Sequence, residues 1–254
     1  MRKRIYHALH DVHLAQVSRG GLKAFANKKS EKTTKVAFTR KGGHAMQNKN
    51  FMKELVLTGL FSAIIIIMAF TPLGYIPLGI INATIIQIPV IIGALFCGPK
   101  HGAFLGFLFG FTSFLKNTIT PATLSAFVFS PVLAASMFGV NGILCSTFIC
   151  FIPRILVGVL PYFIYKIMKK FSNKKSLNFA VAGVLGAFTN TLLVMGSIYV
   201  LYKDAYAQAQ NIDPSAVLGV IGGVISFNGV IEAILSGIIV SAIGVVLNKI
   251  KPIK

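Results

Sequence analysis

Six apolar stretches, each near the length that crosses a bilayer, fill most of this chain from residue 53 to residue 247. They run approximately Lys53 to Phe70, Ala83 to Cys97, Gly102 to Leu115, Ile143 to Ile167, Asn178 to Leu201 and Leu218 to Leu247. Crossing about 30 Å of hydrocarbon takes about 20 helical residues, so each run is long enough for a span or only slightly short of it. The expected fold is therefore an all-α integral membrane protein, a bundle of about six transmembrane helices forming one domain over residues 51–254. With 55% hydrophobic and 12% charged residues, the composition is far from that of a soluble domain. A bundle in lipid cannot rest on ordinary hydrophobic burial. The glycines are accordingly read as close-packing positions between helices, and Gly102, Gly106 and Gly110 show the spacing that lines one helix face.

The net charge of +19 resembles a nucleic-acid signature until it is mapped, since about half of the 25 basic residues fall within the first 50 positions. Residues 1–50 are polar, basic and without helical periodicity, which predicts a disordered tail. A natural start at Met46 or Met52 is an open alternative. No apolar run of about 7 to 15 residues precedes Phe51, so the first transmembrane helix is expected to direct insertion. The remaining basic residues alternate with the spans. Lys53, Lys100, the cluster Lys166, Lys169, Lys170, Lys174 and Lys175, and the C-terminal Lys249, Lys251 and Lys254 share one face, which the positive-inside rule makes cytoplasmic together with both termini. The opposite connections hold Pro72, Gly74, Pro77 and Gly79, then Thr118 to Pro131, then Asp204 and Asp213. Ala122 to Phe138 is apolar enough for a re-entrant or surface-lying piece, while Pro121 and Pro131 argue against a seventh span.

Ionisable groups are costly at membrane depth, so Arg154 and Glu232 carry the most functional information. At 1.5 Å per residue they lie ~16 Å and ~20 Å from the outer ends of the fourth and sixth helices, close to one level. Asn190 in the fifth helix falls near that level, and Asn228 is one turn before Glu232 on the same face. Two readings stand: the four groups converge on a ligand, or Arg154 and Glu232 neutralise each other as a buried pair. A polarity gradient favours a blind pocket opening outward, because Asn82, Thr84 and Gln87 sit at the outer end of the second run and the cytoplasmic halves are nearly devoid of polar groups. Enzyme signatures are missing: no His-Glu-x-x-His, Gly-x-Ser-x-Gly or phosphate-cradling loop occurs, and no histidine lies within an apolar run. Cys97, Cys145 and Cys150 have no paired-ligand spacing. The rival class is a stand-alone proton-coupled carrier titrating Glu232, against which the lack of an inverted repeat counts.

The run Ala69-Phe-Thr-Pro-Leu-Gly-Tyr-Ile-Pro-Leu-Gly-Ile-Ile-Asn-Ala-Thr84, with Ile88-Pro-Val-Ile-Ile-Gly-Ala94 and Gly98-Pro-Lys-His-Gly-Ala103, resembles S components of energy-coupling factor (ECF) transporters. Phe127-Val-Phe-Ser-Pro131 and Pro153-Arg-Ile-Leu-Val-Gly158 are similar to that family too. The resemblance covers Phe51 to the C-terminus. It implies a six-helix vitamin-binding subunit docked on a transmembrane scaffold subunit and powered by two cytoplasmic ATPase subunits, which use the ATP. No cofactor is implied on this chain, and no nucleic acid. It further implies a small-residue docking strip on the first helix, here Gly59 and Ala63, extended by Thr58 and Ser62. The pattern is most similar to pantothenate-type S components, whose ligand carboxylate suits Arg154 and whose hydroxyl and amide groups suit the asparagines. Gln87 departs from a position more often occupied by His, which leaves folate, pyridoxine-type and hydroxymethylpyrimidine-type ligands open.

Overall fold

The computed structural model describes residues 51–77, 82–121, 125–250 and 253. The basic stretch 1–50 lies outside them. Each apolar run forms a helix: α1 Phe51–Phe70, α2 Gln87–Cys97, α3 Pro99–Ile119, α4 Pro131–Phe171, α5 Lys175–Gln210 and α6 Val217–Ile250. Among the described residues four of these, α1, α4, α5 and α6, are long and apolar enough to cross a membrane, against the six expected. The second run is the clearest departure. Its first residues leave the helix and form β2 (Asn82–Thr84), antiparallel to β1 (Tyr75–Pro77) with Tyr75 opposite Thr84 and Pro77 opposite Asn82.

That leaves α2 with 11 residues, a rise of about 16 Å, roughly half the hydrocarbon thickness. All 11 are buried. A short helix apolar on every side belongs inside a bundle and not at its lipid face, and α2 packs against α3, α4, α5 and α6. Gly98 then turns the chain directly into α3 with φ of 90°, which a side chain rarely adopts, and Pro99 starts α3 at a position where its missing N–H costs nothing.

The α3–α4 seam explains the glycine spacing. A Cβ at Gly102 or at Gly158 would collide with the other's carbonyl oxygen, one at Gly106 with the carbonyl of Arg154, and one at Gly110 would lie 2.9 Å from that of Cys150. Two antiparallel rows spaced by four residues thus let the backbones touch. Cys150 Sγ adds a hydrogen bond to Gly110 O at 3.2 Å.

The Thr118 to Asn141 segment is no span. A buried 3₁₀ turn, Ala126–Phe129, leads into α4, whose N-cap Ser130 accepts from Leu133 N at 3.3 Å and whose first residue is Pro131. The first turns of α4 meet the long remainder at Gly139 (φ 61°, ψ −143°), a break that only glycine takes readily. Helix α5 has its own break at Tyr202, and α6 contains a π-helical turn at Ile225–Gly229. Between α5 and α6 the Asp213 carboxylate accepts from the hydroxyl and the amide of Ser215 at 2.6 and 2.8 Å, and these bonds hold it below the usual carboxylate range.

Candidate functional site

Arg154 owes its position to the residue before it. Proline lacks the N–H that would bond the carbonyl four residues back, so Pro153 leaves Ile149 O without its helical donor. The Arg154 guanidinium fills that place, its Nη1 donating to Ile149 O at 2.6 Å. The side chain is buried and lies between two aromatic rings, its Cζ 4.9 Å from the Phe129 centroid and 5.6 Å from that of Phe109. Aromatic faces attract a guanidinium more strongly when water is excluded. The result is a rigid, oriented cation on the α4 wall.

Glu232 sits in a second group of residues. Its Oε1 accepts from the backbone amide of Thr84 at 2.7 Å and its Oε2 from the Thr191 hydroxyl at 3.2 Å. Among the described residues its hydrogen bonds go to Thr84 and Thr191, while those of Arg154 include Ile149 O. Each is held by different neighbours. Of the residues singled out in the sequence, Thr84 from β2 bonds Glu232 directly, while Gln87 from α2, Asn190 from α5 and Asn228 from α6 stand on elements packed together there. Gln87 is fully buried at the start of α2, its Nε2 3.5 Å from Ser236 Oγ. Asn190 adjoins Thr191, and a Cβ at Gly229 would lie 3.1 Å from Thr191 Cγ2, which sets the π-helical turn carrying Asn228 directly against α5. Asn82 is placed by its backbone alone, in β2 opposite Pro77.

On these elements three buried oxygens have no hydrogen-bond partner among the described residues: Gln87 Oε1, Asn190 Oδ1 and Asn228 Oδ1. Buried acceptors are nearly always satisfied in folded proteins, and three together call for donors from elsewhere. A π-turn at the same place is a further mark, since such turns concentrate at functional sites.

On α1 the small residues divide. Gly59 and Ala63 are exposed, and a Cβ at Gly59 meets no atom within 4 Å. Thr58 instead turns inward and is buried, bonding Glu54 O at 2.7 Å and His101 Nδ1 at 3.1 Å, so it does not extend an outward strip. Ser62 is half-buried and donates to Thr58 O at 2.8 Å. A 100° step per residue separates these two from their glycine and alanine neighbours.

Residues 53–244 match the family described as ECF transporter, substrate-specific component. The chain belongs to this family. The S component is also 35% identical over 171 residues to the pantothenic acid transporter PanT of Lactococcus lactis, covering 66% of this chain and 79% of that one. With the pantothenate transporter PanT of Leuconostoc mesenteroides it shares 32% identity over 210 residues, 79% of this chain and 94% of the relative. Family and relatives are transport proteins, and with its apolar helices the S component is a multi-pass protein of the plasma membrane.

Phe109 and Phe129 were not singled out in the sequence. Phe129 lies within the Phe127–Pro131 motif, but nothing in the sequence marks either ring as facing a guanidinium. The one available signal was the dipeptide Pro153-Arg154, because a proline within a helix always frees a carbonyl for which a neighbouring donor can compete.

Proposed function

We propose that this S component captures pantothenate from outside the cell and delivers it to an ECF scaffold subunit coupled to two ATPase subunits, whose ATP hydrolysis drives uptake. The observation that carries this reading is the buried Arg154 guanidinium, held by Ile149 O and set against the Phe109 and Phe129 rings. A carboxylate is its natural complement, since charge-assisted pairing with arginine is geometrically specific and strong away from water. Pantothenate also carries hydroxyl and amide donors, which match the open acceptors Gln87 Oε1, Asn190 Oδ1 and Asn228 Oδ1. The two relatives named for this vitamin support the choice.

The lysine-rich face, from Lys166 to Lys175 and at Lys249, is cytoplasmic in this reading, which puts the β1–β2 hairpin on the outside. Docking uses the exposed Gly59 and Ala63 on α1. A stand-alone proton carrier needs a carboxylate that exchanges its proton with a pathway. In Glu232 both oxygens are instead occupied by Thr84 and Thr191, which suits a clasp between hairpin and bundle.

Titration calorimetry of the purified chain against a panel of B vitamins tests the ligand. Pantothenate is expected to bind one-to-one without ATP; tight binding of folate or a pyridoxine-type vitamin with none of pantothenate overturns the assignment. Uptake into vesicles should require the scaffold and ATPases. Transport by this chain alone, abolished by a protonophore and indifferent to ATP, overturns the coupling.

A further inference from the structure

Phe129, whose ring centroid lies 4.9 Å from Arg154 Cζ, stands on a segment fastened at two points. After it, the hydroxyl of Ser130 lies 2.7 Å from that of Thr118 on α3. Before it, Phe127 O accepts from the Ser146 hydroxyl of α4 at 2.8 Å. That second fastening leads further. Tyr202 Oη lies 2.8 Å from both Ser146 Oγ and Gly142 O; because the Ser146 proton goes to Phe127 O, the link is made by the phenol donating to Ser146 Oγ, with Gly142 O as its alternative acceptor. One phenol thus ties α5, at its break, through Ser146 of α4 to the 3₁₀ turn over the arginine. Ser146 and Tyr202 are both buried, where polar groups are retained only with partners.

The ring is buried in the core cluster. On one side it meets Phe127 and Phe138 at centroid distances of 5.4 and 5.6 Å. On another it borders a cavity of about 450 Å³ lined also by Asn141, Gly142, Cys145 and Lys203. With space beside it and irregular backbone on both helices, the directional bonds of the hydroxyl fix where the ring, and hence the turn, can sit.

We propose that Tyr202 is a positioning residue for the ligand site: through Ser146 and Phe127 O it sets the 3₁₀ turn so that Phe129 closes over Arg154. The role in binding rests on the assignment of Arg154 as the ligand's anion contact, while the effect on the turn does not. Tyr202 touches neither the guanidinium nor a ligand. It acts on how long the site stays closed.

The chain has no tryptophan, so Phe129→Trp places a single indole at the turn. In the full-length protein without ligand, acrylamide quenching of that indole should rise when Tyr202→Phe is added, and rise likewise with Ser146→Ala, which removes the same link from the other side. Unchanged quenching in both overturns the proposal. For binding, Tyr202→Phe should speed pantothenate release by about two- to tenfold, the worth of one hydrogen bond, and should have no further effect in a Phe129→Ala background. A general structural loss predicts equal acceleration in both backgrounds, which also overturns it. Should the parent chain not bind pantothenate at all, the ligand assignment falls and the quenching comparison alone decides the role of Tyr202. If Tyr202→Phe does not fold, Ser146→Ala carries both measurements.

Discussion

The amide of Thr84 donates to the Glu232 carboxylate at 2.7 Å, joining the short hairpin before α2 to the middle of α6 across 148 residues of sequence. Thr191 takes the other oxygen, so one side chain gathers β2, α5 and α6. Glu232→Ala removes both bonds, each a hydrogen bond to a charged group worth about 1.5–3 kcal/mol. The expected local result is amide exchange at Thr84 accelerated by about tenfold or more, since opening of the hairpin no longer breaks that bond. Unchanged protection at Thr84 means that the clasp does not hold the hairpin. Uptake in the assembled transporter should stay insensitive to a protonophore in both the parent and Glu232→Gln.

Arg154→Gln should weaken pantothenate binding by about ten- to a hundredfold, the cost of a lost charge-assisted hydrogen bond. Arg154→Lys should not restore it. An ammonium cannot donate to Ile149 O and also present a planar fork between the Phe109 and Phe129 rings. Because Glu232 is bonded to Thr84 and Thr191 and Arg154 to Ile149 O, Arg154→Met combined with Glu232→Leu should show losses that add. Normal affinity in that double variant would return both charges to a neutralising pair and retire the binding role.

How far these features were legible in the sequence differs with the kind of information each needs. Helix positions were legible because apolar runs bounded by Lys100, Lys174 and Lys249 mark where the chain can dwell in lipid, and Gly102, Gly106 and Gly110 announced a close seam by their spacing alone. Depth along a helix follows from residue number, which is why Arg154 and Glu232 could be set at one level. Direction around the helix axis depends on how each helix is rotated against its neighbours, and it is this that gives Arg154 and Glu232 different neighbours and turns Thr58 away from Gly59. The shortening of α2 was hidden for another reason. Asn82 to Thr84 is apolar enough on its flanks to continue a span, and only the pairing with Tyr75 to Pro77 takes it out of the helix.

Pro153→Ala separates stability from function. Alanine supplies an N–H at the position whose helical partner is Ile149 O, and it removes an interior proline that costs a helix about 3 kcal/mol in an unsupported setting. The helix should gain, and the melting temperature of the purified protein should hold or rise. Arg154 loses its acceptor to the new backbone bond, so pantothenate affinity should fall several-fold, by about the 0.5–1.5 kcal/mol that one hydrogen bond contributes. Affinity unchanged alongside a raised melting temperature would show that Ile149 O does not orient the arginine.

Gly59 and Ala63 face away from their own bundle, and this makes the docking assignment testable without the usual ambiguity of membrane glycines. A leucine at Gly59 enters open space, since no atom of the described residues outside its own helical turn lies within 4 Å of its Cβ position. Ala63 is exposed one turn later, and the two form a shallow strip among the exposed Val56, Leu60 and Ile67. Small residues let a partner helix approach closely, whereas added bulk in such a seam costs about 1–3 kcal/mol, roughly a five- to hundredfold loss of assembly. Gly59→Leu and Ala63→Leu should therefore leave pantothenate affinity of the isolated chain unchanged while reducing copurification with the scaffold subunit and stopping ATP-dependent uptake. Thr58→Val serves as the contrast: it strips the buried bond to His101 Nδ1 between α1 and α3, so its cost should appear in the stability of the chain itself. If the complex forms at full strength with leucine at both outward positions, the scaffold meets another face of the S component.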